Sequence, residues 1–394
     1  MNKNIHIGHI ADCHLCNRQY GHESRGADFL RGAMSALSAL KKSGVSLVLC
    51  SGDLLDTVNP GSKVCITQLS NLREFLKANG QLMIVVAGNH DNASPHWCSA
   101  MKDTPETGGI YYLDDEVYVY SETGGLPGIT ITGRSYADAD AYREWMETAP
   151  AADILMYHLE VADAVGYAGE NMITVEELAK TDKWKVVAAG HIHKQFDATC
   201  KTPSNRVMTF TYPGSTELCE GGEPSDKTAN ILTMAYNGSE WVLDDLERVP
   251  FETRPVQKFK ITTEEELTEA CRDVEPGGIV FVVFDRAVTS VHTLLKSAAD
   301  RKATIEAGNK WCRTIFRMQP MLSTSEREVL EKIQGGRCVS LREYMNEVSS
   351  EYFSEEESQR GLTSLCMLLL DSGTDHRAVL DEFVTERLDG KILI

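Results

Sequence analysis

Five short polar clusters in this chain carry the residue types that hold metal ions. They are Asp12-x-His14, Gly52-Asp53, Gly88-Asn89-His90-Asp91, the single His158 and Gly190-His191-Ile192-His193. Imidazole and carboxylate ligands suit manganese, iron or zinc. Two divalent ions about 3.5–4 Å apart can clamp both the attacking and the leaving oxygen of a phosphoryl displacement. A carboxylate can bridge such a pair, and Asp53 is the natural candidate. The glycines at 52, 88 and 190 let the backbone turn sharply beside the donors.

Each cluster directly follows an apolar run of strand length. Ile5–Ala11, Ser46–Cys50, Leu82–Ala87, Ile154–Tyr157 and Val186–Ala189 read as strands. Between the first three, Asp28–Lys42 and Val64–Ala78 have helical spacing and end at Gly44 and Asn79-Gly80. Strand–helix alternation predicts a layered α/β domain. In such sheets, sites gather outside the carboxyl ends of the strands, so five loops are expected to share one rim.

After about residue 200 the texture changes. Arg206–Thr211, Ile231–Tyr236 and Glu240–Leu246 read as antiparallel strands, and Glu252–Pro255 as a junction. From Val256 to Gln319 the pattern is strand, helix (Thr263–Asp273), strand (Gly278–Phe284), helix (Thr289–Ala299) and strand (Trp311–Met318). Beyond Ser323, acidic helical stretches dominate. These shifts predict three regions: 1–252, 253–320 and 321–394.

Composition narrows the classes. The chain has 394 residues, with 39 basic and 58 acidic side chains and a net charge of −19. A free-standing nucleic-acid binder usually carries a basic footprint, but bound cations can reverse the sign of a local site. The 11 cysteines form no dense paired framework, and the first residues have no signal-peptide pattern, so a reducing cytoplasmic location is expected. No apolar run approaches the roughly 20 residues of a membrane span.

The ordered set of clusters resembles the calcineurin-like metallophosphoesterase superfamily. That resemblance implies a metallophosphoesterase β-sandwich flanked by helices. It places one ion on Asp12, His14, Asp53 and His193, and the other on Asp53, Asn89, His158 and His191. His90 would contact the phosphate and protonate the leaving oxygen, worth about 10²–10⁴ in rate, and Asp91 would orient His90.

Within the superfamily, Gly52-Asp53-Leu54-Leu55-Asp56-Thr57 looks like a segment of the SbcD-type repair nucleases. Tyr212-Pro213-Gly214-Ser215, the loop Glu217–Lys227 and Thr253-Arg254-Pro255 match further elements of that group. Some relatives carry a catalytic histidine where this chain has Asp56. The implied activity is that of a DNA exo/endonuclease with two divalent ions, manganese expected. The implied small α/β domain at 253–320 would cap the site and bind DNA. The segment 321–394 would dock on an SbcC-like coiled-coil ATPase, with two copies of this chain in a heterotetramer. No membrane partner is implied.

Two other readings compete. A small-molecule phosphodiesterase or phosphatase could use the same ions, although it would not need the cap or the helical tail. A metal-free scaffold would predict gaps in the ligand set, and the set has none. Other features have blander explanations. Cys13-x-x-Cys16 has no second pair to complete a zinc site. His6 and His9 are expected as packing or surface residues, His96 in a simple loop contact rather than on substrate, and Tyr212–Ser215 as a rim loop near the donors. Trp311 and Phe316 are expected in a core rather than stacking on bases, and Lys258 gives its unit a basic character that a solvated face explains equally well.

Overall fold

Runs such as Leu47–Cys50 and Leu82–Val86 are apolar at every position, so both faces of these strands must be covered. A computed structural model of the chain describes residues 4–19, 23–57, 63–93, 96–121, 126–165, 167–168, 172–220, 223–261, 263–272, 274–275, 277–284, 315–320 and 339–340.

In chain order the elements begin with β1 (Asn4–Ile10), α1 (Glu23–Lys42), β2 (Leu47–Ser51), α2 (Lys63–Ala78), β3 (Leu82–Val86) and β4 (Gly109–Tyr112). Next come β5 (Val117–Tyr120), β6 (Ile129–Gly133), α3 (Ala139–Thr148), β7 (Ile154–His158), α4 (Ala162–Val165) and β8 (Tyr167–Ala168). Then follow α5 (Val175–Lys180), β9 (Val186–Gly190), β10 (Phe196–Lys201), β11 (Val207–Tyr212), β12 (Thr228–Tyr236) and β13 (Trp241–Pro250). The last are β14 (Val256–Ile261), α6 (Glu264–Arg272), β15 (Ile279–Phe284), β16 (Ile315–Pro320) and β17 (Val339–Ser340).

Two six-stranded sheets form a sandwich. One has the order β13-β12-β1-β2-β3-β4 and the other β10-β11-β9-β7-β6-β5. Strand parity builds the layers. In β2, Leu47 and Leu49 join Ile5, Ile7 and Ile84 between the sheets, facing Ile154, Met156, Val186 and Ala188. The alternate residues Val48 and Cys50 pack under α1 and α2. In the second sheet, Leu155, Tyr157, Val187 and Ala189 lie against α3 and α5. Each fully buried Leu or Ile contributes roughly 1.5–3 kcal/mol. The α/β sandwich flanked by helices is therefore the fold of this region.

Helix α1 buries Phe29, Ala33, Ala36, Leu37 and Leu40 along one stripe. It stops at Gly44, whose φ of +84° suits the left-handed turn after a helix. It also starts five residues before the expected Asp28. Those early turns bury charge rather than apolar surface: Arg25 and Asp28 are both inaccessible and paired at 2.9 Å. An apolar-period reading cannot see such a turn.

The small α/β region is a three-stranded sheet, β14-β15-β16, all parallel. Helix α6 makes the crossover between β14 and β15, burying Leu267 and Ala270. Ile279 and Phe281 share a cluster with Leu218 from the loop after β11. The chain divides into two units, one of residues 1–164 with 171–322 and another of 165–170 with 323–394. In the second, the described part is the pairing of β8 with β17. The helix expected over 289–299, Trp311 and the helical stretches expected beyond 323 lie outside the described residues.

Candidate metal centre

The carboxyl ends of β1, β2, β3, β7 and β9 lead into the five polar clusters. The first two sheet neighbours are parallel, and so are β7 and β9. Parity then matters for His158: it continues the inward series Ile154, Met156 and so points from one sheet toward the other. Its Nδ1 lies 2.6 Å from the Ser51 carbonyl at the end of β2.

The loops that carry the donors are held in unusual backbone. Asp12, His14, Asp53 and His191 have φ of 53°, 44°, 50° and 99°. Non-glycine residues there cost about 1–3 kcal/mol each and concentrate at functional sites. The strain is offset by a ladder between loops. Asp12 N–H donates to Gly52 O at 3.1 Å, His14 N–H to Asp53 O at 2.9 Å and Leu15 N–H to Leu54 O at 3.0 Å. Two glycines permit the approach. A Cβ on Gly88 would lie 2.1 Å from Asp53 Oδ1, and one on Gly190 1.9 Å from Ser51 O.

Donor atoms gather in two groups around Asp53. In the first, His14 Nε2 lies 3.2 Å from His193 Nε2 and 3.7 Å from Asp53 Oδ2. In the second, Asn89 Oδ1 lies 3.2 Å from His158 Nε2 and 3.0 Å from His191 Nδ1. His158 Nε2 is 3.4 Å from the same Asp53 Oδ2. Thus one carboxylate oxygen faces both groups, and the other accepts the His90 N–H at 2.9 Å. Asp12 is buried with Asp53 and His158 within 4.8 Å, and it accepts the His191 N–H at 3.0 Å.

Outer partners set the imidazole tautomers. His14 Nδ1 meets Asp56 Oδ1 at 3.1 Å, and His193 Nδ1 meets Glu223 Oε1 at 2.9 Å. Carboxylate and carbonyl oxygens only accept, so each of these Nδ1 atoms, like that of His158, carries the proton. The Nε2 lone pairs then point inward at one another and at carboxylate oxygens. Acceptors facing acceptors in a buried site need a proton or a cation between them. The donor set fits two divalent ions.

Charge in the centre follows the same pattern. Burial pushes the Asp12 carboxyl up, opposed by His193 and His158. Burial would raise Asp53 too, but His158 and His14 hold it well below the carboxylate range. Burial, and then His158, drives His191 down to about 3. Burial would lower His193, but Cys219 and Glu223 bring it up to about 12. Asp53 similarly overcomes burial at His158, raising it to about 9.

His90 sits at the open edge, with its side chain 46% exposed. Its ring packs edge-on against His14 at 4.8 Å. Asp91 was expected to orient it. Instead, the Asp91 oxygens accept the Leu55 N–H at 3.1 Å and the Gly88 N–H at 2.6 Å, tying two donor loops together. Burial raises Asp91 to about 7. The carboxylate beside the His90 ring is that of Asp56, 3.5 Å from Nδ1.

Spacing in the five clusters did not reveal Asp56, Glu223, Ser51 or Cys219 as parts of the centre. Asp56 lay in the resemblance segment and Glu223 in the acidic loop, and these were the available signals. The loop Tyr212–Ser215 does reach the rim: Ser215 bridges Ala11, and Thr216 N–H donates to Asp12 O at 3.4 Å. Lys227 Nζ holds Glu223 Oε2 at 2.6 Å from behind. His6, His9 and His96 are structural, bonded to Thr233 and Ser51 and stacked on Tyr112 at 4.4 Å. Cys13 is buried, and Cys16 Sγ lies 3.4 Å from Gln68 Oε1. Lys258 is exposed, and its ammonium donates to Glu223 O at 3.2 Å.

Residues 5–195 match the calcineurin-like phosphoesterase family. The chain carries a calcineurin-like phosphoesterase domain. All seven expected ligands, with His90 and Asp91, lie inside that domain, whereas Cys219 and Glu223 lie beyond it. The chain is 29% identical over 243 residues to the "DNA double-strand break repair protein Mre11" of Sulfurisphaera tokodaii, covering 58% of this chain and 59% of that one. It is 24% identical over 282 residues to the Methanocaldococcus jannaschii protein of the same name, covering 68% and 72%. For the Methanosarcina mazei protein the identity is 28% over 297 residues, covering 72% and 45%. The match thus spans 59% of the first of these relatives. A solved dimetal phosphatase from Danio rerio is 13% identical, with a TM-score of 0.37, covering 63% of this chain and 99% of that one. Among the described residues, no helix of the phosphoesterase domain or its surroundings is long and apolar enough to cross a membrane.

Proposed function

We propose that this chain is a metal-dependent DNA nuclease, an SbcD-like subunit of a repair or recombination complex. One observation carries the reading: donors from five loops gather in two groups that share Asp53 Oδ2, through His14 at 3.7 Å and His158 at 3.4 Å, with His90 open to solvent beside them. The relatives named for DNA double-strand break repair support DNA as the substrate class. Two divalent ions, manganese by resemblance, would supply Lewis-acid charge for a phosphodiester and a nucleophile at neutral pH.

Asp12, His14, Asp53 and His193 would hold one ion, and Asp53, Asn89, His158 and His191 the other. Asp53 spans the two groups. His90 is placed to donate a proton to the departing sugar oxygen, with Asp56 holding its Nδ1 side. Asp91 keeps the Leu55 and Gly88 backbone in place, which positions Asp53 and Asn89. The region 253–320 would cap the site and help select DNA. The segment 321–394 would dock on a coiled-coil ATPase, and two copies of the chain would act together. The ions and such a partner would offset the acidic net charge toward DNA.

The purified chain should cut linear and hairpin DNA with Mn²⁺, and His90→Ala should lower the rate by about 10²–10⁴. Hydrolysis of bis-para-nitrophenyl phosphate without DNA cleavage, even with a cognate ATPase added, would replace this reading with a small-molecule phosphodiesterase.

A further inference from the structure

The loop after β11 brings a thiol to the centre. One donor atom from each of His14, His193 and Cys219 lies within 4.8 Å of the others. His14 is only 2% exposed, and its Nδ1 is committed to Asp56. Its Nε2 therefore presents a lone pair toward the His193 nitrogen at 3.2 Å and the Asp53 oxygen at 3.7 Å. That buried nitrogen is aimed into a space that calls for a cation, and the Cys219 sulfur lies at its border.

The sulfur is held there by its own backbone. Cys219 N–H donates to Glu223 Oε2 at 3.1 Å, and Cys219 O accepts from Gln19. Immediately before it, Leu218 O accepts from the buried Arg25 at 2.8 Å. The sulfur lies beside the His193 ring, with which it interacts, and its contact within its own loop is a weak one, to Glu217 O at 3.4 Å. Such a contact is easily exchanged for a metal bond.

We propose that Cys219 is an additional ligand of the ion held by His14 and His193, and that it shifts this site toward a thiophilic metal such as zinc. The S–H proton leaves to solvent as the sulfur–metal bond forms, with no change in oxidation state. Thiolate with imidazole favours zinc, whereas carboxylate and carbonyl oxygens favour manganese. The second group, with Asn89, His158 and His191, has no sulfur in its donor set. The two sites would then differ in metal preference. This inference rests on the dimetal reading of the centre and deepens it.

The test uses the full chain loaded with Co²⁺. The wild type should show ligand-field bands and a sulfur-to-cobalt charge-transfer band in the near ultraviolet. Cys219→Ser and Cys219→Ala should keep the ligand-field bands, which reports an intact centre, and lose the charge-transfer band. Cys200→Ser, on β10, should keep both. In competition, Cys219→Ser should lose about 10–100-fold of the zinc-over-manganese preference, the scale on which changes around ligands act. Ligand-field bands in the wild type without charge transfer would overturn the proposal and leave the dimetal reading intact. No cobalt bands in the wild type would overturn both. A charge-transfer band in a chain that cuts no DNA would support the thiolate while removing the nuclease reading.

Discussion

The two halves of the centre hold their imidazoles by different means. His14 and His193 come from loops, and each is backed by a side-chain carboxylate, Asp56 at 3.1 Å and Glu223 at 2.9 Å. His158 closes strand β7 and is backed by a main-chain carbonyl, Ser51 O at 2.6 Å. His191 directly follows β9, and its N–H is fixed by Asp12 at 3.0 Å. A strand end is already positioned by sheet register, so a neutral carbonyl is enough to set the tautomer. A loop has no register, so a charged partner must both orient the ring and raise its basicity. The first half should therefore be tunable through side chains, and the second governed by the sheets.

Asp53 is the point where the halves meet, and its replacement is the harshest test. In Asp53→Asn both ions should be lost, with calorimetric stoichiometry falling from two to none and phosphodiester hydrolysis falling to background. Retention of one tightly bound ion would show that the halves do not share this carboxylate.

The carboxylate-backed half also hangs on a buried charge cluster. Arg254 bonds Asp28 Oδ2 at 2.5 Å and donates its N–H to Glu217 Oε2 at 3.2 Å, while Arg25 meets the same two carboxylates. Arg254→Met would leave buried carboxylates under-compensated, at a cost of about 3–5 kcal/mol. Urea unfolding should show that loss. Metal titration of the folded variant should weaken the ion near His193 more than the one near His158. Equal weakening of both would erase the proposed difference between the halves.

The gentlest change removes one backing charge and keeps the shape. Asp56→Asn still offers an oxygen to His14 Nδ1 but no charge. Affinity for the first ion should fall about 10–100-fold, with the second ion unchanged in the same titration. An unchanged first affinity would mean that orientation alone, without charge, is what Asp56 provides.

The donor residues were legible because four of their five clusters lie at the ends of strands buried on both faces, and because glycine marks three of the turns. Gly88 and Gly190 sit where any Cβ would strike Asp53 or Ser51. The small sheet of β14, β15 and β16 was legible from the alternation of strand and helix patterns along 256–319. The stretch from β4 through α3 was not: β4 and β5 are four residues each, and β5 is an edge strand with Val117 and Val119 exposed. Such strands carry too little periodicity to stand out. The first turns of α1 were hidden because Arg25 and Asp28 are buried as a charge pair.

By itself, then, the sequence determined which donor types exist, their order along the chain and the loops that present them. Those properties are local, set by a strand, a glycine and the residues that follow. Only the tertiary structure decided which oxygen meets each imidazole. Asp91 adjoins His90 in sequence, yet its carboxylate serves the Leu55 and Gly88 backbone, while Asp56 reaches the ring. The Ser51 carbonyl meets His158 because two sheets stack at that rim, and Glu223 meets His193 because the loop after β11 folds back over it. Hydrogen bonds act over about 3 Å, and that separation depends on packing between sheets and loops rather than on spacing along the chain.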